Sequence, residues 1–318
     1  MEFNDIFSVP DVARPIVDAM VTSFERRVVT AMERACYTRP ELEALVKETL
    51  GDELSWDKAG ILVDQMYHRA VINKVEDVTP CVFKVADVYT RLAYFAQYEG
   101  DVWERIPAKT REAIDKWYVD AYAQGAKPRL EEVQRGERDL IENAFFLTLE
   151  ETLAVVDKVE DDIYLVPCNC KSIRLKCQKP KNVCLLFKGG MNSELDRGHG
   201  KLVSKEEAKD IIRLADKKGL MHTSETHQAI CNCCGDCCYP IRAAEKIGAT
   251  GLWPKRRYDI SFDPDLCRGC KSCVRVCNFD AFSWGEGAIE FHSDKCLGCT
   301  LCTSHCPVGA IQAIPIKD

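Results

Sequence analysis

Asp265-Leu-Cys-Arg-Gly-Cys-Lys-Ser-Cys-Val-Arg-Val-Cys277 is followed, 29 residues further along the chain, by Asp294-Lys-Cys-Leu-Gly-Cys-Thr-Leu-Cys-Thr-Ser-His-Cys306. Both stretches have the pattern Asp-x-Cys-x2-Cys-x2-Cys-x3-Cys, and Ala281 corresponds to Ala310 at the same offset. The cysteines are Cys267, Cys270, Cys273 and Cys277 in the first copy and Cys296, Cys299, Cys302 and Cys306 in the second. Eight cysteines at two identical spacings indicate two related metal-binding motifs.

The spacing suits a cubane 4Fe–4S cluster, which needs four thiolates around a small cube. Three thiolates of a Cys-x2-Cys-x2-Cys loop can bind one face of the cube, while the fourth cysteine of each motif ligates the other cluster. Structural zinc more often uses two separated Cys-x2-Cys pairs, sometimes with histidine. The repeat therefore predicts iron–sulfur chemistry and excludes zinc as the main metal of this region.

Residues 255–318 resemble a bacterial two-cluster 4Fe–4S ferredoxin domain, and the resemblance implies electron transfer. It also implies that the ligands of one cluster are Cys267, Cys270, Cys273 and Cys306, and those of the other Cys296, Cys299, Cys302 and Cys277. The sequence departs from the pattern once, because Pro307 follows Cys306 but Asn278 follows Cys277. Asparagine restores a backbone N–H that can tune the neighbouring cluster, and it leaves the ligation intact.

Nine further cysteines lie in residues 161–254, in two segments. They are Cys168, Cys170, Cys177 and Cys184, then Cys231, Cys233, Cys234, Cys237 and Cys238. The simplest partition gives one cubane to each segment, but adjacent cysteines diverge, so an interleaved partition stays open. We expect one or two additional 4Fe–4S clusters here, with a zinc site as the alternative. More loosely, residues 160–318 are similar to multicluster ferredoxin-like iron–sulfur proteins of anaerobes.

Composition and charge limit the remaining possibilities. The chain has 318 residues, 46% of them hydrophobic and 29% charged, which is typical of a soluble globular protein and excludes disordered and collagen-like chains. No apolar run approaches a membrane span and the N-terminus lacks a basic signal region, so we expect a cytoplasmic protein. In a reducing cytosol, clustered cysteines are kept as thiolates for metal.

The charge of the chain is unevenly distributed, with −11 over residues 1–160 and +4 over residues 161–318. A basic group surrounds the first middle-domain cysteines, and we interpret it as compensation for bound anionic clusters. It consists of Lys171, Arg174, Lys176, Lys179, Lys181 and Lys188. Among the six histidines, His227 could be a further ligand because it precedes Cys231 by four residues, and His305 lies between two ligand cysteines.

Residues 1–160 are mostly helical by periodicity. Thr38-Arg-Pro-Glu41 predicts a capping box that opens a helix extending to Leu50, and a second helix is predicted from Trp56 to Arg69. Two short β-rich runs follow, Ala70–Val75 and Cys81–Val85. This order resembles a winged helix-turn-helix. In such a fold the second helix, Trp56–Arg69, would contact the DNA bases. Its basic residues are Lys58, His68 and Arg69, and it also carries the acidic Asp57 and Asp64, so nucleic acid is disfavoured as a partner. We also expect Cys36 and Cys81 to be small buried apolar residues.

The sequence thus predicts an α+β protein of three domains: an acidic, winged-helix-like domain (1–160) for docking or for homo-oligomerisation, a cysteine-rich cluster-binding domain (161–254) and a 2×(4Fe–4S) ferredoxin domain (255–318). The function that fits best is electron transfer to or from an oxidoreductase partner in anaerobic metabolism, rather than a stand-alone enzyme. Two alternatives remain: a redox-sensing winged-helix transcription regulator, and a catalytic subunit with an unusual open iron–sulfur site in the middle domain.

Overall fold

The computed structural model describes residues 2–51, 56–75, 78–137, 145–224 and 228–317. The chain forms two compact units. The first comprises the residues up to Tyr118 together with Gly189–Gly200, and the second comprises Val119–Lys188 and the chain from Lys201 onwards. Within the described ranges, every helix is too short or too polar to cross a lipid bilayer.

The first unit is mainly helical. Its helices are α1 (Phe3–Ile6), α2 (Val17–Met20), α3 (Ser23–Ala31), α4 (Arg39–Leu50), α5 (Trp56–His68), α6 (Val88–Tyr98) and α7 (Gly100–Trp103), with a 3₁₀ helix over Asp11–Ile16. Its strands are β1 (Tyr37–Thr38), β2 (Ile72–Lys74) and β3 (Val82–Val85), and the long helix α8 (Ala108–Gln134) includes the boundary between the units.

The first unit confirms the prediction of two helices followed by a hairpin. β3 pairs with β2 on one side and with β1 on the other, both antiparallel, so the sheet order is β1-β3-β2. The helix α4 begins where expected, because the backbone N–H and hydroxyl of Thr38 donate to the Glu41 carboxylate at 2.8 and 2.7 Å. The order helix, strand, two helices and a two-stranded hairpin is present, while the winged-helix assignment itself stays a prediction.

The segment Gly189–Gly200, which lies far along the chain, packs on the hairpin of the first unit. Its buried Arg197 donates to the carbonyl oxygens of Ile72 (3.0 Å) and Tyr67 and to the Asn73 side chain. Asn192 exchanges two hydrogen bonds with the backbone of Lys74, at 2.7 and 2.9 Å. Sequence analysis missed this association, since no local pattern in residues 189–200 marks their partner.

The second unit contains a six-stranded antiparallel sheet of order β4-β8-β9-β6-β5-β7. These strands are β4 (Phe145–Leu147), β5 (Ile163–Pro167), β6 (Asn182–Leu186), β7 (Lys201–Val203), β8 (Met221–Ser224) and β9 (Ala229–Cys233). The helices are α9 (Leu149–Lys158), α10 (Asn169–Arg174), α11 (Lys205–Lys217) and α12 (Tyr239–Lys246). The apolar run Ile163–Pro167 predicts a strand and Ser204-Lys-Glu-Glu207 predicts a capping box, and both are present.

One face of this sheet packs against α9 and α11. Leu185 and Ile230, which are paired across β6 and β9, are fully buried there with Ile212 of α11 and Val156 of α9. Successive side chains of a strand point to opposite faces. The neighbours Cys184 on β6 and Cys231 on β9 therefore lie on the other face of the sheet.

The C-terminal part of the second unit is built from two small antiparallel hairpins and two short helices. They are β10 (Tyr258–Phe262) with β13 (Ile311–Pro315), β11 (Phe282–Gly285) with β12 (Ala288–Phe291), and the helices α13 (Ser272–Val276) and α14 (Leu301–Ser304). Phe282 and Ile289 are buried between the cysteine loops.

The α+β class is confirmed, whereas the division into three domains at 160/161 and 254/255 stays a prediction. The expected burial of Cys36 and Cys81 is wrong, because both thiols are exposed. Each lies in the short link that leads into a strand, one residue before Tyr37 of β1 and one before Val82 of β3. Apolar character alone does not bury a residue at the end of a strand.

Candidate metal centres

The two C-terminal cysteine loops repeat in backbone conformation as well as in sequence. Three pairs of residues, each 29 positions apart, have positive φ: Gly269 and Gly298 (65° and 67°), Lys271 and Thr300 (61° and 62°), and Asp280 and Gly309 (53° and 69°). Left-handed conformation is unfavourable for residues other than glycine. Its occurrence at Lys271, Thr300 and Asp280 shows that the loops keep one shape at the expense of local strain.

This shape directs backbone donors at sulfur. The N–H of Gly269 lies 3.4 Å from Cys267 Sγ, and the N–H of Gly298 lies 3.4 Å from Cys296 Sγ. The N–H of Ala281 lies 3.2 Å from Cys277 Sγ. Hydrogen bonds to ligand sulfur stabilise the thiolate form and influence the potential of a bound cluster.

The first predicted ligand set lines one cavity. Cys267, Cys270 and Cys273 of the first motif share it with Cys306 of the second motif, and its apolar walls include Phe262, Ile289 and Ile311. Four thiols without another metal-binding side chain except His305 suit a soft iron–sulfur cluster. The residues present therefore fit the group that the spacing implies.

The second predicted set of ligands is Cys296, Cys299 and Cys302 of the second motif with Cys277 of the first, and the charge of Cys277 affects the pKa values of Cys299 and Cys302. Burial raises the pKa of Cys299 to about 12, and the charges of Cys277 and Cys296 add to the increase. Burial also raises the pKa of Cys302, again with a contribution from Cys277. The structure thus brings the fourth cysteine of each motif to the three cysteines of the other, while ligation itself stays a prediction.

The middle-domain cysteines converge from the sheet and from the starts of two helices. Cys168 precedes α10 directly after β5, Cys184 lies on β6, and Cys231 and Cys233 lie on β9. Cys238 precedes α12, and its neighbour Tyr239 donates its backbone N–H to Cys170 Sγ at 3.4 Å.

Six of these thiols form a ring, which we call the six-thiol ring. It consists, in order around the ring, of Cys168, Cys170, Cys238, Cys233, Cys231 and Cys184, and each thiol shifts the pKa of the next. Hydrogen bonds from Cys170 and Cys184 hold the pKa of Cys168 well below its usual value.

A buried lysine lies beside this ring. Lys171 is only 2% exposed, and its Nζ donates to the carbonyl oxygen of Asn232 at 2.7 Å. Burial alone would lower its pKa, but the charges of Cys168, Cys184 and other thiolates raise it overall. A buried ammonium group is stable only beside negative charge, so the surroundings of Lys171 suit an anionic group held by the ring.

The remaining three thiols form a separate group, the three-thiol site. Its members Cys177, Cys234 and Cys237 have sulfur atoms that all lie within 4.8 Å of one another, and the Sγ atoms of Cys177 and Cys234 are 3.7 Å apart. Hydrogen bonds from Cys234 and Cys237 lower the pKa of Cys177 to about 2. Each of the two groups draws on both cysteine segments, which favours the interleaved partition, while the partition of ligands itself stays a prediction.

Asn278 joins the three-thiol site to the C-terminal motif. Its side-chain oxygen accepts from the Gly235 N–H at 3.1 Å and from Lys179 Nζ at 2.9 Å. Its side-chain nitrogen donates to the Gly219 carbonyl oxygen at 3.1 Å. A Cβ on Gly235 would lie 2.5 Å from the Asn278 carbonyl oxygen, so only glycine fits beside Cys234. The departure noticed in the sequence therefore has a structural role that spacing alone could not indicate.

The histidines mainly bind protein groups. His305 Nε2 lies 2.9 Å from the Asp216 carbonyl oxygen and 3.3 Å from its carboxylate, at the C-terminal end of α11. His222 is buried and contacts the Asn232 side chain at 2.6 Å. His227, considered above as a ligand, lies outside the described residues.

Residues 266–310 match the family model of the 4Fe–4S dicluster domain, which spans both copies of the cysteine motif. The match confirms a two-cluster ferredoxin-type domain at the C-terminus, and it indicates iron–sulfur electron transfer. No curated protein and no solved structure matches the chain. The wider similarity of residues 160–318 to multicluster proteins stays a prediction.

Proposed function

We propose that this protein relays single electrons through several 4Fe–4S clusters to or from an oxidoreductase partner in anaerobic metabolism. The observation that carries the proposal is the dicluster domain, in which Cys306 shares a cavity with the three cysteines of the other motif. Such a domain holds its clusters at fixed positions in apolar surroundings, where electrons can enter and leave with little rearrangement. Its thiols would hold two clusters, and the middle-domain cysteines one or two more.

Packing supports a relay between the dicluster domain and the middle cysteines. Cys299 of the second motif belongs to the same apolar cluster as Cys231 and Cys233 of the six-thiol ring. Val276 and Leu301 of the C-terminal helices lie in that cluster as well. Clusters held by these cysteines would be separated by packed side chains and not by solvent.

The charge distribution supports a protein partner. The acidic residues 1–160 suit docking to a basic surface or to a second copy of the chain. The basic residues around Cys177 suit docking to an acidic surface of a partner. Seventeen cysteines between Cys168 and Cys306, kept as thiols, suit the reducing cytoplasm. We therefore place the relay in the cytoplasm, as a component of a larger oxidoreductase system.

Metal analysis tests the proposal most directly. Protein purified under strict anoxia should contain about 16 iron and 16 acid-labile sulfide per chain, with about 8 of each as the lower limit for two cubanes. EPR of the reduced protein should show interacting 4Fe–4S clusters. Cys36→Ser and Cys81→Ser are matched controls, because both thiols are exposed in the first unit and should leave the iron content unchanged. Zinc as the main metal would contradict the proposal.

The sheet order β1-β3-β2 of the first unit favours a second candidate, a redox-sensing winged-helix regulator. Two of the three basic residues of the helix that would contact the DNA, His68 and Arg69, are bound to protein groups, however, whereas Lys58 is exposed. Arg69 donates to the carboxylates of Glu25 and Glu99 at 2.6 and 3.0 Å, and His68 Nδ1 lies 2.6 Å from the Arg197 carbonyl oxygen. Phosphate contacts need such cations at the surface.

A gel-shift assay distinguishes the two candidates. Genomic fragments at moderate salt should give no sequence-specific complex with either the reduced or the oxidised protein. A specific shift that depends on the redox state would favour the regulator instead.

A further inference from the structure

The two cysteine loops of the dicluster domain have matching backbones but differ in their side chains. Four pairs of corresponding residues show the difference, the first-loop residue being named first: Arg268 and Leu297, Lys271 and Thr300, Ser272 and Leu301, Arg275 and Ser304. The first loop (residues 265–275) has three basic residues and one acidic residue, whereas the second loop (residues 294–304) has one of each. Because the positive-φ positions of the loops correspond, side chains and not backbone distinguish them.

The second loop packs against the six-stranded sheet. Leu301 is buried in an apolar cluster together with Phe146 of β4, and Cys299 shares this cluster with two thiols of the six-thiol ring. Thr300 is buried as well, and its hydroxyl donates to the Leu147 carbonyl oxygen at 3.2 Å. A cluster bound by the second loop would therefore face the middle cysteines.

The first loop, by contrast, lies at the surface. Cys270 is exposed, whereas its counterpart Cys299 is half-buried. Arg268 and Lys271 are exposed on either side of Cys270 in the chain. Arg275 is exposed too, and its guanidinium donates to the Cys270 carbonyl oxygen at 3.1 Å. A cluster bound by this loop would have one ligand at the surface, within a field of positive charge.

Two large apolar side chains accompany these charges. Leu266, which directly precedes Cys267, is exposed, and so is Trp284 of β11. Lys271 Nζ lies 3.7 Å from the centre of the Trp284 ring, and a Cβ on Gly269 would lie 3.5 Å from that ring. The ring therefore lies against the first loop. Protein interfaces combine such aromatic and aliphatic residues with a polar or charged rim, so this surface suits a protein partner.

We propose that the first loop is the docking surface for an acidic electron-carrier protein, which exchanges electrons with the cluster of Cys267, Cys270, Cys273 and Cys306. The inference rests on the proposed function and gives the relay an order: partner, first-loop cluster, second-loop cluster, middle cysteines. Each transfer moves one electron. An oxidised partner takes it from [4Fe–4S]⁺, which becomes [4Fe–4S]²⁺, and a reduced partner reverses the step.

Electron transfer to flavodoxin, an acidic flavoprotein, tests the docking surface. One electron from a [4Fe–4S]⁺ cluster and one proton from water convert the oxidised flavin to its neutral semiquinone, and anoxic stopped-flow absorption gives the second-order rate constant. We expect this rate constant to fall as the ionic strength rises. Arg268→Glu and Lys271→Glu should each lower it about tenfold at low ionic strength.

Lys295→Glu is the matched control, because it makes the same change of charge at an exposed position of the second loop. It should leave the rate constant nearly unchanged. Cytochrome c, a basic acceptor, gives the opposite expectation, and Lys271→Glu should not slow its reduction. Equal losses of rate in Lys295→Glu and Lys271→Glu, or a flavodoxin rate that does not depend on ionic strength, would overturn the docking surface.

Iron content and EPR spectra separate a failure of this inference from a failure of the proposed function. All three variants should keep the iron content and the EPR signals of the wild type, because the substituted side chains are exposed. A wild-type protein without 4Fe–4S signals, or one that reduces neither acceptor, would contradict the proposed function. Intact clusters that reduce both acceptors rapidly, whatever the charge of the first loop, would contradict the docking surface alone.

Discussion

Asn278 occupies the position that Pro307 has in the second C-terminal motif, and its side chain makes hydrogen bonds that proline cannot make. Four of its hydrogen bonds hold Gly235, Lys179, Gly219 and Val276 at 2.9–3.2 Å. Proline at this position would have neither the side-chain oxygen nor the side-chain nitrogen that makes these hydrogen bonds. The change from proline to asparagine therefore turns one end of the repeat into an attachment point for the three-thiol site.

We expect Asn278→Ala to lower the free energy of unfolding of the second unit by about 2–3 kcal/mol, because it leaves buried donors and acceptors without partners. Pro307→Ala is the matched control at the corresponding position, where the ring is exposed and the expected loss is about 0.5 kcal/mol or less. Anoxic urea unfolding measures both variants. Equal losses would show that the Asn278 hydrogen bonds contribute nothing to stability.

His199 gives the first unit a pH dependence. Its ring stacks on Tyr98, with centroids 3.7 Å apart, and on His68 at 3.9 Å. Burial lowers its pKa to about 4 from an ordinary value of 6.5, so the folded state favours the neutral ring. Between these two values the unfolded chain binds more protons, and stability therefore falls as the pH is lowered.

We expect the loss to begin near pH 6.5 and to end near pH 4, at roughly 1 kcal/mol because the ring is only partly buried. His199→Phe keeps a stacking ring but cannot titrate, and its stability relative to the wild type should rise through that window. Urea unfolding at several pH values gives this difference, in which any acid lability of bound clusters cancels. A constant difference from pH 7 to pH 4 would contradict the assignment.

At the scale of elements, sequence patterns predicted those helices and loops whose determining residues are close together in the chain. The capping boxes at Thr38 and Ser204 predicted their helices, and the repeat predicted both cysteine loops. The grouping of the nine middle cysteines could not be read from spacing, because it depends on how β6 and β9 pair and on which face each thiol occupies. The divergence of adjacent cysteines was the one signal that favoured the interleaved arrangement.

The short helix α13 determines how the dicluster domain is connected. It contains Cys273 and ends just before Cys277, and α14 likewise contains Cys302 and ends two residues before Cys306. Each helix carries the fourth cysteine of its motif away from its own loop. We expect Cys277→Ala to damage the cluster held by Cys296, Cys299 and Cys302 and to spare the other.

Low-temperature EPR of the reduced variants checks this expectation, with Cys306→Ala as the reciprocal case. The crossing also fixes the two cubes relative to each other, so Cys277→Ala should slow electron passage through the domain although its own loop is intact. Removal of the cluster of its own motif by each substitution would mean two independent sites, and the relay would lose its structural basis.

At the scale of the whole molecule, the cysteines expected to bind clusters lie in one unit, and the other unit carries none of them. All seventeen clustered cysteines belong to the second unit, whereas the segment Gly189–Gly200 returns to the first. Arg197 anchors that segment, with its guanidinium over the ring of Tyr67 at 4.5 Å and with hydrogen bonds to Ile72 and Asn73. The guanidinium also donates hydrogen bonds to carbonyl and amide oxygens, so its removal leaves several acceptors unsatisfied.

We therefore expect Arg197→Ala to destabilise the first unit by about 3 kcal/mol and to leave the iron content of the protein unchanged. Arg14→Ala is the matched control, since it removes an exposed ion pair with Asp11 and should cost about 0.5 kcal/mol or less. Anoxic urea unfolding followed by circular dichroism reports on the helices of the first unit, and visible absorption reports on the clusters. Separate transitions, of which only the helical one shifts in Arg197→Ala, would mean that the first unit can unfold while the clusters stay bound. A joint loss of helix and iron would instead show that the clusters depend on the first unit, because the segment that Arg197 anchors interrupts the cysteine-bearing chain between Cys184 and Cys231.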